Sequence, residues 1–185
     1  MPNPVVAPYT DEWPRLFQLE RERLRAVLAP WLAEDVEHVG STAVPGMAAK
    51  PVIDMIAGVT DLESARAAIE PLAALDYHYR PHRPEALLFD KPHLGTWRGQ
   101  THHLHLTEPG SDLWVERLAF RDALRADDAL VAEYSEWKRE NGLDADEGPY
   151  VASKRPFILR VLAARGIDLK PDAQRLSPDA LRPQV

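Results

Sequence analysis

Gly40 and Ser41 are the first residues of this sequence whose types and spacing could do chemistry. They stand at the end of a predicted strand over residues 35–40, where the chain enters a turn. Glycine lets a phosphate approach the backbone closely, and a serine hydroxyl can donate a hydrogen bond to it. Ordinary turn chemistry explains the same two residues. Gly40 and Ser41 are therefore a candidate phosphate site, with a simple turn as the alternative.

Asp54 is the one charged residue within the apolar run of residues 51–59. Such a run is typical of a strand buried on both faces, where an unpaired carboxylate is costly. One interpretation is an aspartate near a strand end that caps a neighbouring loop. The other is a metal ligand or a partner for a basic side chain, because buried charges are almost always paired.

His103 and His105 lie two residues apart in the predicted strand 101–107, so their side chains share one face. Two imidazoles on one face can bind a transition metal or a phosphate, or can transfer protons. His38, which shares a face with Gly40, could join them, and a metal site would need a further ligand such as Asp54. We expect Asp54, His103 and His105 to be the catalytic and metal-binding residues, with Mg²⁺, Mn²⁺ or Zn²⁺ as candidate ions. Two ordinary hydrogen-bonded histidines are the alternative.

Several basic residues are candidates for binding the charge of a phosphorylated ligand: Lys50, Arg98, Arg121, Lys138, Lys154 and Arg155. Arg98 lies in the polar segment before the histidine strand. Lys138 and Lys154 each follow a tyrosine by four residues, which places each pair on one face of a predicted helix. Any of these cations could instead belong to a solvated helix face, with its aliphatic stem covering apolar surface.

These residues have to be positioned by the elements that the hydrophobic periodicity predicts. Strands are expected at 35–40, 51–59, 76–80, 85–90 and 101–107. Helices are expected at 10–33, 61–74, 112–125, 128–140 and 150–165. We predict an α/β fold of the α+β type, with one domain over 1–166 and a loosely ordered tail over 167–185.

The chain has 185 residues, a net charge of −7 and no cysteine. An acidic chain lacks the electrostatic footprint of a nucleic-acid binder, so no nucleic-acid polymer is expected as a partner. No apolar run approaches the ~20 residues that span a bilayer, and no signal peptide is recognisable, so no membrane association is expected. The lack of cysteine fits a reducing cytoplasm, where we expect the protein.

The segment from His38 to Asp54 closely resembles the signature of the GrpB family, which is placed in the nucleotidyltransferase (DNA polymerase β-like) superfamily. Shorter collinear resemblances cover most of the chain, at Tyr9 with Trp13, His103 with His105, Phe120 with Arg121, Tyr134 with Lys138, and Lys154 with Phe157. The resemblance implies a mixed sheet flanked by helices, with a helical C-terminal portion. It also implies that Gly40 and Ser41 take the place of the phosphate loop of the superfamily.

The same resemblance puts Asp54 in the place of the first metal-binding carboxylate of the superfamily. Active members carry a second carboxylate two residues later, and the two Mg²⁺ ions held there activate the attacking hydroxyl and stabilise the leaving pyrophosphate. Ile56 occupies that second position here and cannot ligate a metal. A face with His103 and His105 instead favours a transition metal, a single metal ion, or anion binding without a metal.

Three functions are compatible with these residues. The first is a divergent nucleotidyltransferase-like protein that binds a nucleotide or another phosphorylated small molecule and could transfer a nucleotidyl group with one metal ion. The second is a non-catalytic ligand-binding module on the same fold. The third is a metal-dependent hydrolase that uses Asp54, His103 and His105. Fold resemblance cannot choose among them, and it leaves open whether the chain is an enzyme and how it oligomerises.

Overall fold

One mixed sheet forms the centre of the computed structural model, which describes residues 6–92, 99–140 and 147–169. In these ranges the strands are β1 (Leu32–Val39), β2 (Ile53–Val59), β3 (His78–Arg83), β4 (Ala86–Lys91) and β5 (His102–Thr107). Their order across the sheet is β1-β2-β5-β4-β3. Strands β2 and β5 run parallel, and the other neighbours are antiparallel.

Helices cover both faces of this sheet. The longer ones are α1 (Glu12–Leu28), α4 (Asp112–Arg125), α5 (Asp128–Glu140) and α6 (Glu147–Ala163). A shorter one, α2 (Leu62–Ala65), continues through a 3-10 turn (Arg66–Ala68) into α3 (Ile69–Ala73). The predicted α/β fold, a mixed sheet flanked by helices, is confirmed. The predicted boundary of a tail at residue 167 stays a prediction, because residues 170–185 lie outside the described ranges.

Prolines explain why two helices differ from the predicted ones. Helix α1 ends at Leu28 rather than at residue 33, because Pro30 has no N–H with which to continue the helical hydrogen bonds. The segment predicted as one helix over 61–74 tightens into a 3-10 turn at Arg66–Ala68. Pro71 cannot donate to the carbonyl of Ala67, so the regular ladder is interrupted at that turn.

The main core lies between the sheet and helix α1. Leu24 and Leu28 of α1 pack there against Met55, Leu104 and Phe89, all of them fully buried. Met55, Leu104 and Phe89 are register partners on β2, β5 and β4, so they form one row on one face of the sheet. Burying side chains of this size contributes roughly 1.5–3 kcal/mol each to folding, which fixes the register of the three strands.

The opposite face carries the polar residues of interest. Asp54, His103 and Asp90 are register partners on β2, β5 and β4 and form a row that faces the layer of α4, α5 and α6. Val39, Ile56 and Leu113 form a small apolar cluster on this same side. None of the helices in the described ranges is both long and apolar enough to cross a membrane.

Candidate functional site

Gly40 leaves strand β1 in a backbone conformation that only glycine adopts readily, with φ of 73° and ψ of −174°. A Cβ at this position would lie 2.4 Å from Oδ2 of Asp54 and 3.0 Å from its Cβ. The chain then enters a 3-10 turn over Ser41–Ala43. Gly40 therefore has two physical reasons to be glycine, its positive φ and its close approach to the carboxylate.

Asp54 is held by β2 and reaches toward that turn, with 35% of its side chain exposed. Its Oδ1 accepts a hydrogen bond from Nδ1 of His103 at 2.9 Å, across the parallel β2–β5 pair. Burial opposes ionisation of the carboxyl, but the His103 hydrogen bond and charge, followed by the charge of Arg117, lower the pKa of Asp54 to about 2. Asp54 is therefore a carboxylate near neutral pH.

His103 is tied to two further residues of the sheet layer. Its Nε2 lies 2.8 Å from Oε1 of Gln100, and Nε2 of Gln100 donates to Oδ2 of Asp90 at 3.0 Å. Gln100 and Asp90 are 4% and 1% exposed, so both partners are fixed in the protein interior. The result is a continuous hydrogen-bonded chain from Asp90 through Gln100 and His103 to Asp54.

A cleft with a cavity volume of about 90 Å³, partly open to solvent, lies between these residues and the C-terminal helices. The sheet side contributes Gly40, Ser41 and Asp54. The helical side contributes Glu116, Arg117, Phe120, Arg121, Leu124, Tyr134, Lys154 and Ile158. The cleft thus combines an apolar wall with charged groups that face the Gly40–Ser41 turn.

Two lysines approach the turn from the helical layer. Nζ of Lys138, on α5, donates to the carbonyl of Ala48 at 2.9 Å and to Oγ of Ser41 at 3.5 Å. Burial lowers the pKa of Lys138 to about 8. Burial also lowers the pKa of Lys154 to about 7, although the charge of Asp54 opposes that shift. Losing water destabilises both ammonium groups, and an anion placed beside them would offset that cost.

The predicted basic residues divide into those at the cleft and those elsewhere. Lys154 lines the cleft and Lys138 contacts Ser41. The positive charge of Lys50 helps to lower the pKa of Lys154. Arg121 also lines the cleft, but Glu37 and Asp122 each accept a hydrogen bond from it at 2.7 Å. Arg98 lies outside the described residues.

Arg155, another of the predicted basic residues, forms a salt bridge with Glu116, a buried residue that lines the cleft. Glu116 is thereby neutralised by the chain itself. Neither residue therefore adds net charge to the cleft.

His105 and His38 occupy different faces of the sheet. His105 is buried, shares the face of His103 and is the register partner of Ile56. His38 faces α1, where its ring stacks on Phe17 at 4.7 Å. The suggestion that His38 joins the other histidines is wrong, because Gly40 has already left the strand and Val39 is the partner of Asp54.

His38 has a structural role in fixing the turn. The hydroxyl of Thr42 donates its hydrogen to the carbonyl of Val52 at 3.0 Å, so the hydroxyl oxygen is left to accept from Nε2 of His38, also at 3.0 Å. Burial, with the charges of Arg125 and Arg121, lowers the pKa of His38 to about 4 despite the opposing charge of Asp54. His38 is therefore neutral near pH 7.

Helix α4 supplies three cleft residues that were not among the predicted site residues, namely Arg117, Phe120 and Leu124. Nε of Arg117 is buried and has no hydrogen-bond partner among the described residues. Arg117, Phe120, Arg121 and Leu124 follow the i, i+3, i+4, i+7 spacing of one helix face. That spacing was the available signal, and it places the face of α4 toward the cleft.

The site does not fit the pair of metal ions that the superfamily would imply. Ile56, at the position of the second carboxylate, is fully buried in the apolar cluster with Val39 and Leu113. Both ring nitrogens of His103 already face oxygen atoms. In the described part of the chain, no group of three His, Cys, Asp or Glu side chains is arranged to hold a metal ion.

Comparison with known proteins finds a matching family model, described as GrpB protein, over residues 3–164. The UPF0157 protein SCO7215 of Streptomyces coelicolor is 37% identical over 131 residues, which cover 71% of this chain and 66% of that protein. The crystal structure of conserved protein GrpB from Enterococcus faecalis aligns with a TM-score of 0.75 at 27% identity, over 86% of this chain and 95% of that chain.

A weaker likeness is to the structure of Cid1 in complex with the UTP analog UMPNPP, with a TM-score of 0.48 at 15% identity. It covers 84% of this chain and 49% of that chain. Among three of the curated relatives, the matched region spans between 38% and 66% of their own length.

Proposed function

The chain belongs to the GrpB family, and from that premise we propose that it binds a small phosphorylated molecule in the cleft between Gly40–Ser41 and helices α4–α6. The observation that carries the proposal is the guanidinium of Arg117 at this cleft. Its Nε is buried and has no hydrogen-bond partner among the described residues. A buried donor of this kind is costly unless something accepts from it, and a phosphate oxygen is a suitable acceptor.

The other charges at the cleft support the same proposal. Both acidic groups there already have partners within the chain, since Glu116 forms a salt bridge with Arg155 and Asp54 is hydrogen-bonded to His103. Arg121 is likewise neutralised by Glu37 and Asp122. Arg117 and Lys154 bring two further basic side chains to the cleft, within a chain whose net charge is −7.

The sheet side of the cleft offers a hydroxyl group to a ligand. Ser41 lines the cleft, and its Oγ lies 3.5 Å from Nζ of Lys138. A phosphate bound between the turn and α4 would accept from Ser41 and Arg117 while staying near Lys154. The apolar wall formed by Phe120, Leu124 and Ile158 would contact the rest of the ligand.

The described residues favour binding over metal-assisted nucleotidyl transfer or hydrolysis. Two-metal chemistry would require a second carboxylate beside Asp54, and Ile56 cannot supply it. A pKa of about 2 also makes Asp54 a weak general base. The proposed role of this family member is accordingly recognition of a phosphorylated small molecule.

Calorimetric titration with inorganic phosphate, pyrophosphate and a nucleoside monophosphate tests the proposal. We expect at least one of these probes to bind the wild type, and Arg117→Met to weaken that binding roughly 10- to 100-fold, the equivalent of losing a charge-assisted hydrogen bond. Arg66→Met is the matched control, because Arg66 is half exposed, pairs with Glu63 and lies outside the cleft. Equal affinity in wild type and Arg117→Met, or no binding of any probe, would contradict the proposal.

A further inference from the structure

We infer that Lys138 is a positioning residue of the proposed phosphate site, which holds the back of the turn segment (residues 38–48) and directs the hydroxyl hydrogen of Ser41 into the cleft without touching the ligand. The role toward a ligand rests on the proposed function. The contact between Lys138 and Ser41 stands on the packing of α5 against the turn segment alone.

Lys138 lies behind the turn segment rather than in the cleft. It is 3% exposed, and it is not one of the described residues that line the cleft. Its Nζ donates to the carbonyl of Ala48 at 2.9 Å and to Oγ of Ser41 at 3.5 Å, and it lies 5.0 Å from the centre of the Tyr134 ring. The three hydrogens of the ammonium group therefore face a carbonyl, a hydroxyl and an aromatic ring of the chain itself.

The hydroxyl of Ser41 is oriented by this contact. Burial lowers the pKa of Lys138 only to about 8, so this side chain is an ammonium near pH 7. An ammonium has three donors and no acceptor, so Oγ of Ser41 can only accept from it. The hydroxyl hydrogen of Ser41 then has to point away from Nζ, and no group in the described part of the chain accepts it. Because Ser41 lines the cleft, the hydrogen is available there to an acceptor such as a phosphoryl oxygen.

Two arginines of α4 hold the turn segment at other points. Nη1 of Arg121 donates to the carbonyl of His38 at 3.0 Å, and Nε of Arg125 donates to the carbonyl of Ala43 at 2.9 Å. These bonds fix the beginning and the middle of the segment independently of Lys138. Replacing Lys138 should therefore leave the backbone of the turn segment in place.

The charge of Lys138 has no carboxylate partner among the described residues. Burial is the cause that lowers its pKa, and no acidic group opposes that shift. Burying such a charge costs free energy that an apolar side chain of similar length would not. A phosphate that accepts from Ser41 on the cleft side would bring negative charge near the ammonium and offset this cost, with the hydroxyl between the two charges.

Nuclear Overhauser contacts in the wild-type chain test the placement of Lys138. We expect contacts between the ammonium hydrogens of Lys138 and the β hydrogens of Ser41, both without ligand and in saturating inorganic phosphate. Loss of these contacts when phosphate binds would overturn the inference, because the ammonium would then have turned to the ligand. Their absence from the ligand-free chain would contradict it as well.

A double-mutant cycle tests whether Lys138 acts through Ser41, by calorimetric titration with inorganic phosphate at pH 7. Lys138→Met should weaken phosphate binding roughly 10-fold, but by less than about twofold in a Ser41→Ala background. Arg139→Met is the matched control, because it removes an exposed positive charge from the same helix and should leave the affinity unchanged. Equal losses from Lys138→Met in both backgrounds, or an equal loss in Arg139→Met, would refute a role through Ser41.

The side-chain rotamer of Ser41 gives a readout that needs no ligand. Three-bond NMR couplings should show one χ1 rotamer of Ser41 in the wild type and in Arg139→Met, and an average of several in Lys138→Met. A single unchanged rotamer in Lys138→Met would show that Lys138 does not orient the hydroxyl. If inorganic phosphate does not bind the wild type, the proposed function fails, while these couplings and the Overhauser contacts still decide whether Lys138 positions Ser41.

Discussion

The Gly40→Ala substitution tests whether the turn and the carboxylate are fitted to each other. The backbone at Gly40 has φ of 73° and ψ of −174°, a region that costs a residue with a side chain about 1–3 kcal/mol. The added Cβ would also lie 2.4 Å from Oδ2 of Asp54, so the carboxylate has to move. Moving it breaks the charged hydrogen bond to His103, worth about 1.5–3 kcal/mol.

Together these effects predict that Gly40→Ala lowers the free energy of unfolding by about 3–5 kcal/mol. Urea denaturation followed by circular dichroism measures the change. Gly110→Ala is the matched control, because Gly110 has a φ of 82° and a Cβ added there would meet no atom within 4 Å. That control should cost only about 1–2 kcal/mol from backbone strain.

A double-mutant cycle isolates the contact with Asp54. In an Asp54→Ala background the carboxylate oxygens are gone, and the cost of Gly40→Ala should fall toward that of Gly110→Ala. We expect a coupling energy of about 1–3 kcal/mol between positions 40 and 54. Equal costs for Gly40→Ala and Gly110→Ala, or strict additivity in the cycle, would refute the reasoning.

Two further predictions concern residues that fix the turn. Burial lowers the pKa of His38 from 6.5 to about 4, so the unfolded chain takes up the proton first and stability falls as the pH drops from about 6.5 to 4. His38→Gln should remove about 3 kcal/mol of that fall in urea titrations across the window, and an unchanged slope would contradict the prediction. A slope should remain in this variant, because the pKa values of His102, Glu20 and Asp54 are also lowered. Arg121→Met should cost about 2–4 kcal/mol, because it leaves the carbonyl of His38 without this donor. The exposed Arg139→Met should change stability by less than about 0.5 kcal/mol, and equal effects of the two arginine variants would count against a role for Arg121.

Much of the sheet could be predicted from the sequence because its signals are local. The apolar run over 51–59 and the alternation over 101–107 predicted two strands, observed as Ile53–Val59 and His102–Thr107. The alternation of side chains also predicted that His103 and His105 share one face of the sheet and that His102 lies on the other. The observed register of β2 and β5 agrees with this. These assignments succeeded because a strand has a side-chain period of two.

The partners of His103 could not be predicted in the same way. Asp54 meets His103 only because β2 and β5 are parallel neighbours, and 49 residues separate the two in the chain. Asp90 and Gln100 lie near His103 because β4 pairs with β5 in the sheet, and no local sequence pattern encodes that pairing. His38 was misassigned for a related reason, since the positive φ of Gly40 ends the strand alternation that the prediction extended.

The predicted roles of the site residues depend most directly on where a phosphorylated ligand binds. Backbone amide NMR of the wild-type chain during titration with inorganic phosphate measures this position. We expect the largest shift changes at Gly40 and Ser41, together with the side-chain Nε–H of Arg117. Changes confined to residues outside the cleft, such as Arg66 and Arg80, or no saturable change at all, would contradict phosphate binding at the turn.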